Sequence, residues 1–232
     1  MLFRSHVSMY MARRDRVVEH QAVKSVLEFS NYMRGLVAER RKNPQDDLLS
    51  ELSRASEEGQ KLSEDELITT AILLLNAGHE ATVHSIGNGV KTVLERGIHG
   101  PITPELIEEV LRFDPPLHMF TRYALEDLEF NGLNLKKGET VGLMLGAANH
   151  DVARFSSPDT FNPAREQNQH VSFCAGIHFC VGAPLARLEM LIAFEELFKR
   201  LPNMKLVGTP RYKDVYHFHG LEELRVQPNS LR

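Results

Sequence analysis

The chain has 232 residues, of which 42% are hydrophobic and 25% charged, a balance that supports a sizeable core in one large domain or two small ones. Lys+Arg 27 against Asp+Glu 31 gives a net charge of -4, so no global cationic field exists to hold nucleic acid or an anionic membrane surface. Two cysteines, Cys174 and Cys180, exclude a disulfide framework; with no signal peptide and no run of 18 apolar residues, the expected setting is cytoplasmic.

From about Met9 to Lys42 the apolar residues Val17, Val18, Ala22, Val26, Phe29, Met33, Leu36 and Val37 recur with helical period, and Asn43-Pro44 stops the helix. Met1 to Tyr10 offers this helix no strong cap, so the chain reads as beginning in mid-architecture. Residues 1–42 carry nine Lys/Arg against four Asp/Glu, whereas residues 43–66 carry two against eight. A solvated helix face followed by an acidic loop is the reading of that swing.

Ser63-Glu64-Asp65-Glu66 has the form of a capping box, and Leu67 to Ala77 follows as a nearly unbroken apolar run. A deeply buried helix to about Glu95 is expected, because Thr69, Thr70 and Asn76 interrupt the run and eleven residues cannot span a bilayer. Thr103-Pro104 opens a shorter helix to Phe113, which Asp114-Pro115-Pro116 must end. Leu117 to Gly146 turns to short extended runs, with a hairpin at Phe130-Asn131-Gly132-Leu133 and a buried strand over Glu139 to Leu145. Asn149 to Gln169 is irregular, Ala183 to Leu201 is a helix closed by Pro202, and strand-like pieces surround Tyr216 to Gly220. The fold class is mainly α with a minor β component, without the βαβ rhythm of a dinucleotide-binding domain.

Cys180 stands just before a helix N-terminus, where unpaired N–H groups and the positive end of the dipole favour an anionic sulfur. Gly176 and Gly182 allow a tight turn and close backbone approach, as a flat ligand over the sulfur requires, and Phe173 can cover one face of that ligand. A competing reading takes Cys174, His178 and Cys180 as zinc ligands of a structural domain, with His217 or His219 as the fourth, although the spacing makes a poor zinc knuckle.

The stretch Phe173-Cys174-Ala175-Gly176-Ile177-His178-Phe179-Cys180-Val181-Gly182, continuing as Ala183-Pro184-Leu185-Ala186-Arg187-Leu188-Glu189, resembles the haem-binding loop of the cytochrome P-450 family, the haem-thiolate monooxygenases. The resemblance covers nearly the whole chain. It implies the C-terminal part of the P-450 fold, so that residues 1–232 would form a single domain lacking the family's N-terminal portion, with a shortened segment from Glu95 to Pro104. By it, Cys180 is the axial ligand of a haem b iron, His178 offers a ring N–H to a propionate, and Arg122 in Phe120-Thr121-Arg122-Tyr123 pairs with a propionate. Glu109-Val110-Leu111-Arg112 resembles the family's Glu-x-x-Arg helix, and Arg165 the arginine that completes its buried triad. Ala77-Gly78-His79-Glu80-Ala81-Thr82 resembles the oxygen-binding groove, with Glu80 as the relay acid.

Two positions depart from the family pattern. Cys174 replaces a glycine, which costs about 1 kcal/mol or more where φ is positive. Ala81 stands where a threonine or serine is usual, and Thr82 lies about 100° further round the helix, so ordered water or a substrate hydroxyl would have to assist Glu80.

The implied activity is insertion of one oxygen atom of O2 into a small apolar organic substrate. Electrons would come from a separate donor such as ferredoxin or flavodoxin docking on the Cys180 side. A haem-binding but inactive remnant is the alternative, because a half-roofed pocket admits water. Leu117, Met119, His217, Phe218 and His219 are candidates for the pocket lining.

Overall fold

The computed structural model of the chain describes residues 15–57, 62–215 and 218–228. In order along the chain, the helices are α1 (Arg16–Lys42), α2 (Leu48–Glu57), α3 (Glu64–Glu95), α4 (Pro104–Phe113), the single turn α5 (Leu145–Ala148) and α6 (Ala183–Arg200). The strands are β1 (Phe120–Tyr123), β2 (Leu128–Phe130), β3 (Leu133–Leu135), β4 (Thr140–Leu143), β5 (Lys205–Leu206) and β6 (Val226–Gln227). They pair only in twos, all antiparallel: β1 with β4, β2 with β3 and β5 with β6. The mainly helical expectation holds. Contacts divide the chain into two compact units, Met1–Glu80 and Ala81–Arg232.

In the first unit Asp15 caps α1, its carboxylate accepting from Val18 N at 2.8 Å. The cap thus lies beyond Met1 to Tyr10, the stretch that offers none. The part of the expected helix before Arg16 lies outside the described residues. The acidic stretch after Pro44 is not simply a loop, because Asp47 accepts from Ser50 N at 2.8 Å and opens α2. The capping box forms as its residues dictate: Glu66 accepts from Ser63 N at 2.8 Å, and Ser63 Oγ from Glu66 N at 3.3 Å. Phe29, Met33 and Val37 of α1 pack against Leu67, Ile68 and Ile72 of α3. Burial of α3 is nevertheless one-sided, for Leu73 is 62% exposed and Leu75 and Val83 are also open. The unbroken apolar run predicts burial all round.

In the second unit α3 ends as expected at Glu95. Gly97 adopts φ +59, its N–H reaching Leu94 O and that of Ile98 reaching Val93 O, the paired bonds of a Schellman stop. Thr103 caps α4, and Asp114 closes it. The core joins Val90 and Val93 of α3, Leu106, Ile107, Val110 and Leu111 of α4, and Met190 and Phe194 of α6. Gly89 lets these three helices close up: a Cβ there would lie 2.5 Å from Val110 Cγ1 and 2.7 Å from Phe194 Cζ. The hairpin forms at Asn131 (φ +50) and Gly132 (φ +78), as the Asn-Gly pair requires. The strand expected over Glu139 to Leu145 is β4, but it is largely exposed rather than buried, and among the described residues β1 is the one strand paired with it. No helix among the described residues is long and apolar enough to cross a membrane.

Candidate functional site: the cysteine loop

The irregular segment before α6 is held from below by a closed charge network. Glu109 and Arg112 lie one helical turn apart on the buried side of α4, and both are fully buried. Arg112 Nε and Nη2 each donate to a different Glu109 oxygen at 2.8 Å, and Nη1 donates to Asn149 O at 2.8 Å. Arg165 Nε reaches Glu109 Oε2 at 3.3 Å, while its Nη groups donate to Ser156 O and Thr160 O. Asn162 N and Asn168 Nδ2 complete the shell around the carboxylate. Every charge in this triad is paired, the condition under which ions are tolerated in a core.

A second contact fixes Phe173. Arg187 of α6 donates from Nε and Nη2 to Glu108 of α4 at 2.6 and 3.0 Å, and its guanidinium lies 4.6 Å from the Phe173 ring centre. His170 Nε2 stands 3.2 Å from the same carboxylate. Burial opposes the charge on Glu108, yet hydrogen bonds from His170 and Arg187 and the charge of Arg187 hold its pKa at about 2. A carboxylate depressed in the folded state adds stability above its unfolded pKa of about 4.3, and that stability is lost as pH falls through about 2. Glu108→Gln is expected to remove on the order of 2 kcal/mol at pH 7, discounted for partial exposure, and to flatten acid unfolding between pH 4.5 and 2. Urea melts of both proteins across that range check this; parallel pH profiles would contradict it.

Above these supports the loop turns back on itself, Cys180 N donating to Phe173 O at 3.0 Å and Cys174 N to Val171 O at 2.8 Å. Gly176 adopts φ +61 and opens a single 3-10 turn, Gly176–His178. Gly182 has φ -83, which any residue adopts, so its use is spatial: a Cβ there would meet Cys180 Sγ at 3.8 Å. Cys180 is exposed, three residues before α6, and His178 is exposed on the short turn. Ile177 (97% exposed), Phe179 and Val181 (86%), its neighbours in the chain, are exposed apolar residues of the same loop. Leu185, Leu188 and Ile192 are exposed as well, along one face of α6. Arg122 on β1 donates from Nη1 to Thr121 O and also lies against the Cys174 thiol. Burial pushes that thiol up, and the Arg122 guanidinium draws it down.

This set fits a haem. One exposed soft sulfur, exposed apolar residues in the same loop, and a guanidinium and an imidazole near it match a metal wanting one thiolate, a flat hydrophobic ring and two carboxylates. The zinc set is not assembled. Among the described residues the single trio with ligand atoms within 4.8 Å of one another is Asp114, His118 and His219, and it contains neither cysteine. His219 is drawn to Asp114, its Nε2 3.3 Å from Oδ1, and His217 lies outside the described residues.

Sequence reasoning did not anticipate the cluster around Asp114, because its members are scattered from position 88 to position 219. Asp114 accepts from Tyr212 Oη and from Lys91 Nζ, and the Tyr212, His219 and His118 rings stack at 3.8 and 3.9 Å. Burial opposes the Asp114 charge, but hydrogen bonds from His219 and Tyr212 and the Lys91 ammonium draw its pKa down. Lys91, Tyr212 and His219 already engage the Asp114 carboxylate. The cluster therefore pins the C-terminal segment, helped by Asn88 Nδ2 on His219 O at 2.9 Å. Of the residues proposed for a pocket, Leu117 and Met119 are half-buried and Phe218 is buried against His84.

Ala77, Gly78, Glu80, Ala81 and Thr82 all lie on α3, which is helical throughout. Gly78 has open space where a Cβ would stand, and Glu80 and Thr82 are half-buried.

Residues 99–205 match the family model described as Cytochrome P450. The chain is 40% identical over 239 residues to cytochrome P450 107B1 of Saccharopolyspora erythraea, covering 98% of this chain and 58% of that protein. It is 40% identical over 223 residues to the polyketide biosynthesis cytochrome P450 PksS of Bacillus subtilis, covering 91% of this chain and 54% of that one. Among solved structures it is similar to P450BioI in complex with an acyl carrier protein ligated to hexadec-9Z-enoic acid. There the identity is 36% and the TM-score 0.90, over 98% of this chain and 60% of that one. The chain thus spans between half and two thirds of the length of these three relatives.

Proposed function

Because the chain belongs to the cytochrome P450 family, we propose that its cysteine loop is the haem-binding side of a monooxygenase that inserts one atom of O2 into a small apolar organic substrate. The observation that carries this reading is the exposed Cys180 at the head of α6, in a loop whose Ile177, Phe179 and Val181 are also exposed. Haem b, when bound, supplies the oxygen-activating redox chemistry, and a thiolate ligand favours O–O cleavage.

The chain's own residues divide the remaining work. Cys180 is the metal ligand, its exposed sulfur standing three residues before α6. Phe173, fixed by Arg187, covers the sulfur side, Gly176 makes the turn, and Gly182 keeps the space beside the sulfur open. Arg122 and His178 receive the two carboxylates. On α3, Ala77 and Gly78 keep one face small, while Glu80 holds and passes a proton, with Thr82 as the neighbouring hydroxyl. Two electrons come from a separate protein such as ferredoxin or flavodoxin.

With alanine at position 81, the proton path from Glu80 runs through ordered water or a hydroxyl of the substrate. Ala81→Thr is expected to raise the fraction of consumed reductant that appears as product by about twofold, well below the tenfold that ~1.4 kcal/mol of barrier represents. Unchanged coupling in a turnover-competent protein would contradict this path.

A second reading, haem binding without turnover, draws on the exposed Leu73, Leu75 and Val83 of α3. Loading the purified chain with hemin, reducing it and adding CO tests both. A red-shifted, thiolate-type Soret band supports haem ligation by Cys180, and product formation from an apolar substrate with a redox partner then separates the two readings. A chain that takes up no hemin would sink both.

A further inference from the structure

The two cysteines of the chain stand six positions apart in one loop. The Cys180 N to Phe173 O hydrogen bond sets Cys180 directly across from the residue that precedes Cys174, bringing their backbones side by side. Cys174 adopts φ +57, a conformation in which any side chain costs about 1 kcal/mol relative to glycine, so a thiol is kept where a glycine would be more stable. Cys174 is half-buried and Cys180 is open to solvent. A disulfide needs Cα atoms about 4.4–6.8 Å apart, and the Cys180 N–H to Phe173 O bond holds the two stretches of the loop at hydrogen-bonding distance at that point.

We propose that Cys174 and Cys180 form a reversible intramolecular disulfide in the haem-free chain, which makes Cys174 a redox modification site that withdraws the sulfur needed by haem. The consequence for haem rests on the reading of Cys180 given above; the bond itself does not. The oxidant is a hydroperoxide, with hydrogen peroxide as the simplest case. The exposed Cys180 thiolate attacks one peroxide oxygen, the O–O bond breaks, one water leaves after protonation, and Cys180 carries S–OH. The Cys174 sulfur then attacks that sulfur, the S–S bond forms, the S–O bond breaks, and a second water leaves. Two thiols and one H2O2 become one disulfide and two waters, with two electrons passing from sulfur to peroxide. A dithiol reductant reverses the bond.

The test uses the full haem-free chain, treated with hydrogen peroxide, alkylated and cut with trypsin, which leaves both cysteines in the single peptide Glu166–Arg187. That peptide is expected to lose two hydrogens and to resist alkylation at both cysteines, and dithiothreitol is expected to restore both sites. Hemin uptake is expected to be lost on oxidation and regained on reduction. In Cys174→Gly, a substitution suited to the local backbone, prolonged peroxide is expected to carry Cys180 past the sulfenic acid, so that uptake does not return with dithiothreitol. A peptide of unchanged mass, bonds formed only between two chains, or full recovery of Cys174→Gly would each overturn the proposal. Failure of the reduced wild-type chain to take hemin would instead overturn the haem reading, leaving the peptide mass to judge the disulfide.

Discussion

Glu109→Ala is expected to lower the unfolding free energy by about 3–5 kcal/mol, a large part of what a domain of this size possesses. The carboxylate is fully buried and is the common acceptor for Arg112, Arg165, Asn162 N and Asn168. Removing it leaves two guanidinium groups facing each other in the interior. Their remaining carbonyl partners, Asn149 O, Ser156 O and Thr160 O, solvate but do not neutralise them. Glu109→Gln keeps an oxygen acceptor while losing the charge, and is expected to lie between wild type and alanine. Urea denaturation followed by far-UV circular dichroism reads the difference. A loss below about 1 kcal/mol for Glu109→Ala, the range of an exposed pair, would contradict the closed-network account.

Gly89→Ala and Gly87→Ala are expected to move stability in opposite directions, although both place the same methyl group on the same helix. At Gly89 the methyl meets Val110 and Phe194, both immobile core side chains, well inside contact distance. Separating α3 from α4 and α6 to admit it costs about 1–3 kcal/mol or more, against a helix-propensity gain of about 1 kcal/mol. At Gly87 no atom lies within 4 Å of the added carbon, so the propensity gain stands alone, at about 0.5–1 kcal/mol. Thermal and urea melts of the two variants check the pair. A stabilised Gly89→Ala would mean that the three-helix contact is looser than the structure places it.

Local chemistry explains which elements are legible in the amino-acid sequence. Ser63-Glu64-Asp65-Glu66, Thr103-Pro104, Asn131-Gly132 and the Asp114-Pro115-Pro116 stop act through hydrogen bonds or φ restrictions a few residues long, and each appears as its residues dictate. Asp47 is legible in principle as a cap three residues before Ser50. The acidic composition around it points to solvation instead, and that signal hides α2. Burial is a different matter, since it depends on what covers a surface. The apolar runs Leu67–Ala77 and Glu139–Leu145 predict their helix and strand, but not that Leu73, Leu75 and much of β4 remain open.

The candidate site is legible to a similar depth. The loop from Phe173 to Gly182 announces itself by spacing, whereas the bonds of Arg187 with Glu108 and of Asp114 with Tyr212 and His219 join residues 79, 98 and 105 positions apart. No local period encodes such contacts. Cys174 stands out only as a departure from the family's glycine, and its left-handed backbone gives that departure a physical cost.

The most direct measurement is the ferrous–CO absorption spectrum of hemin-loaded wild type beside that of Cys180→Ser. Wild type is expected to show the strongly red-shifted Soret band of a thiolate-bound iron. In Cys180→Ser, where the oxygen is a far harder and less basic donor to iron than a thiolate, that band is expected to vanish. An identical red-shifted band in both proteins would place the iron on some other ligand and contradict the assignment of Cys180.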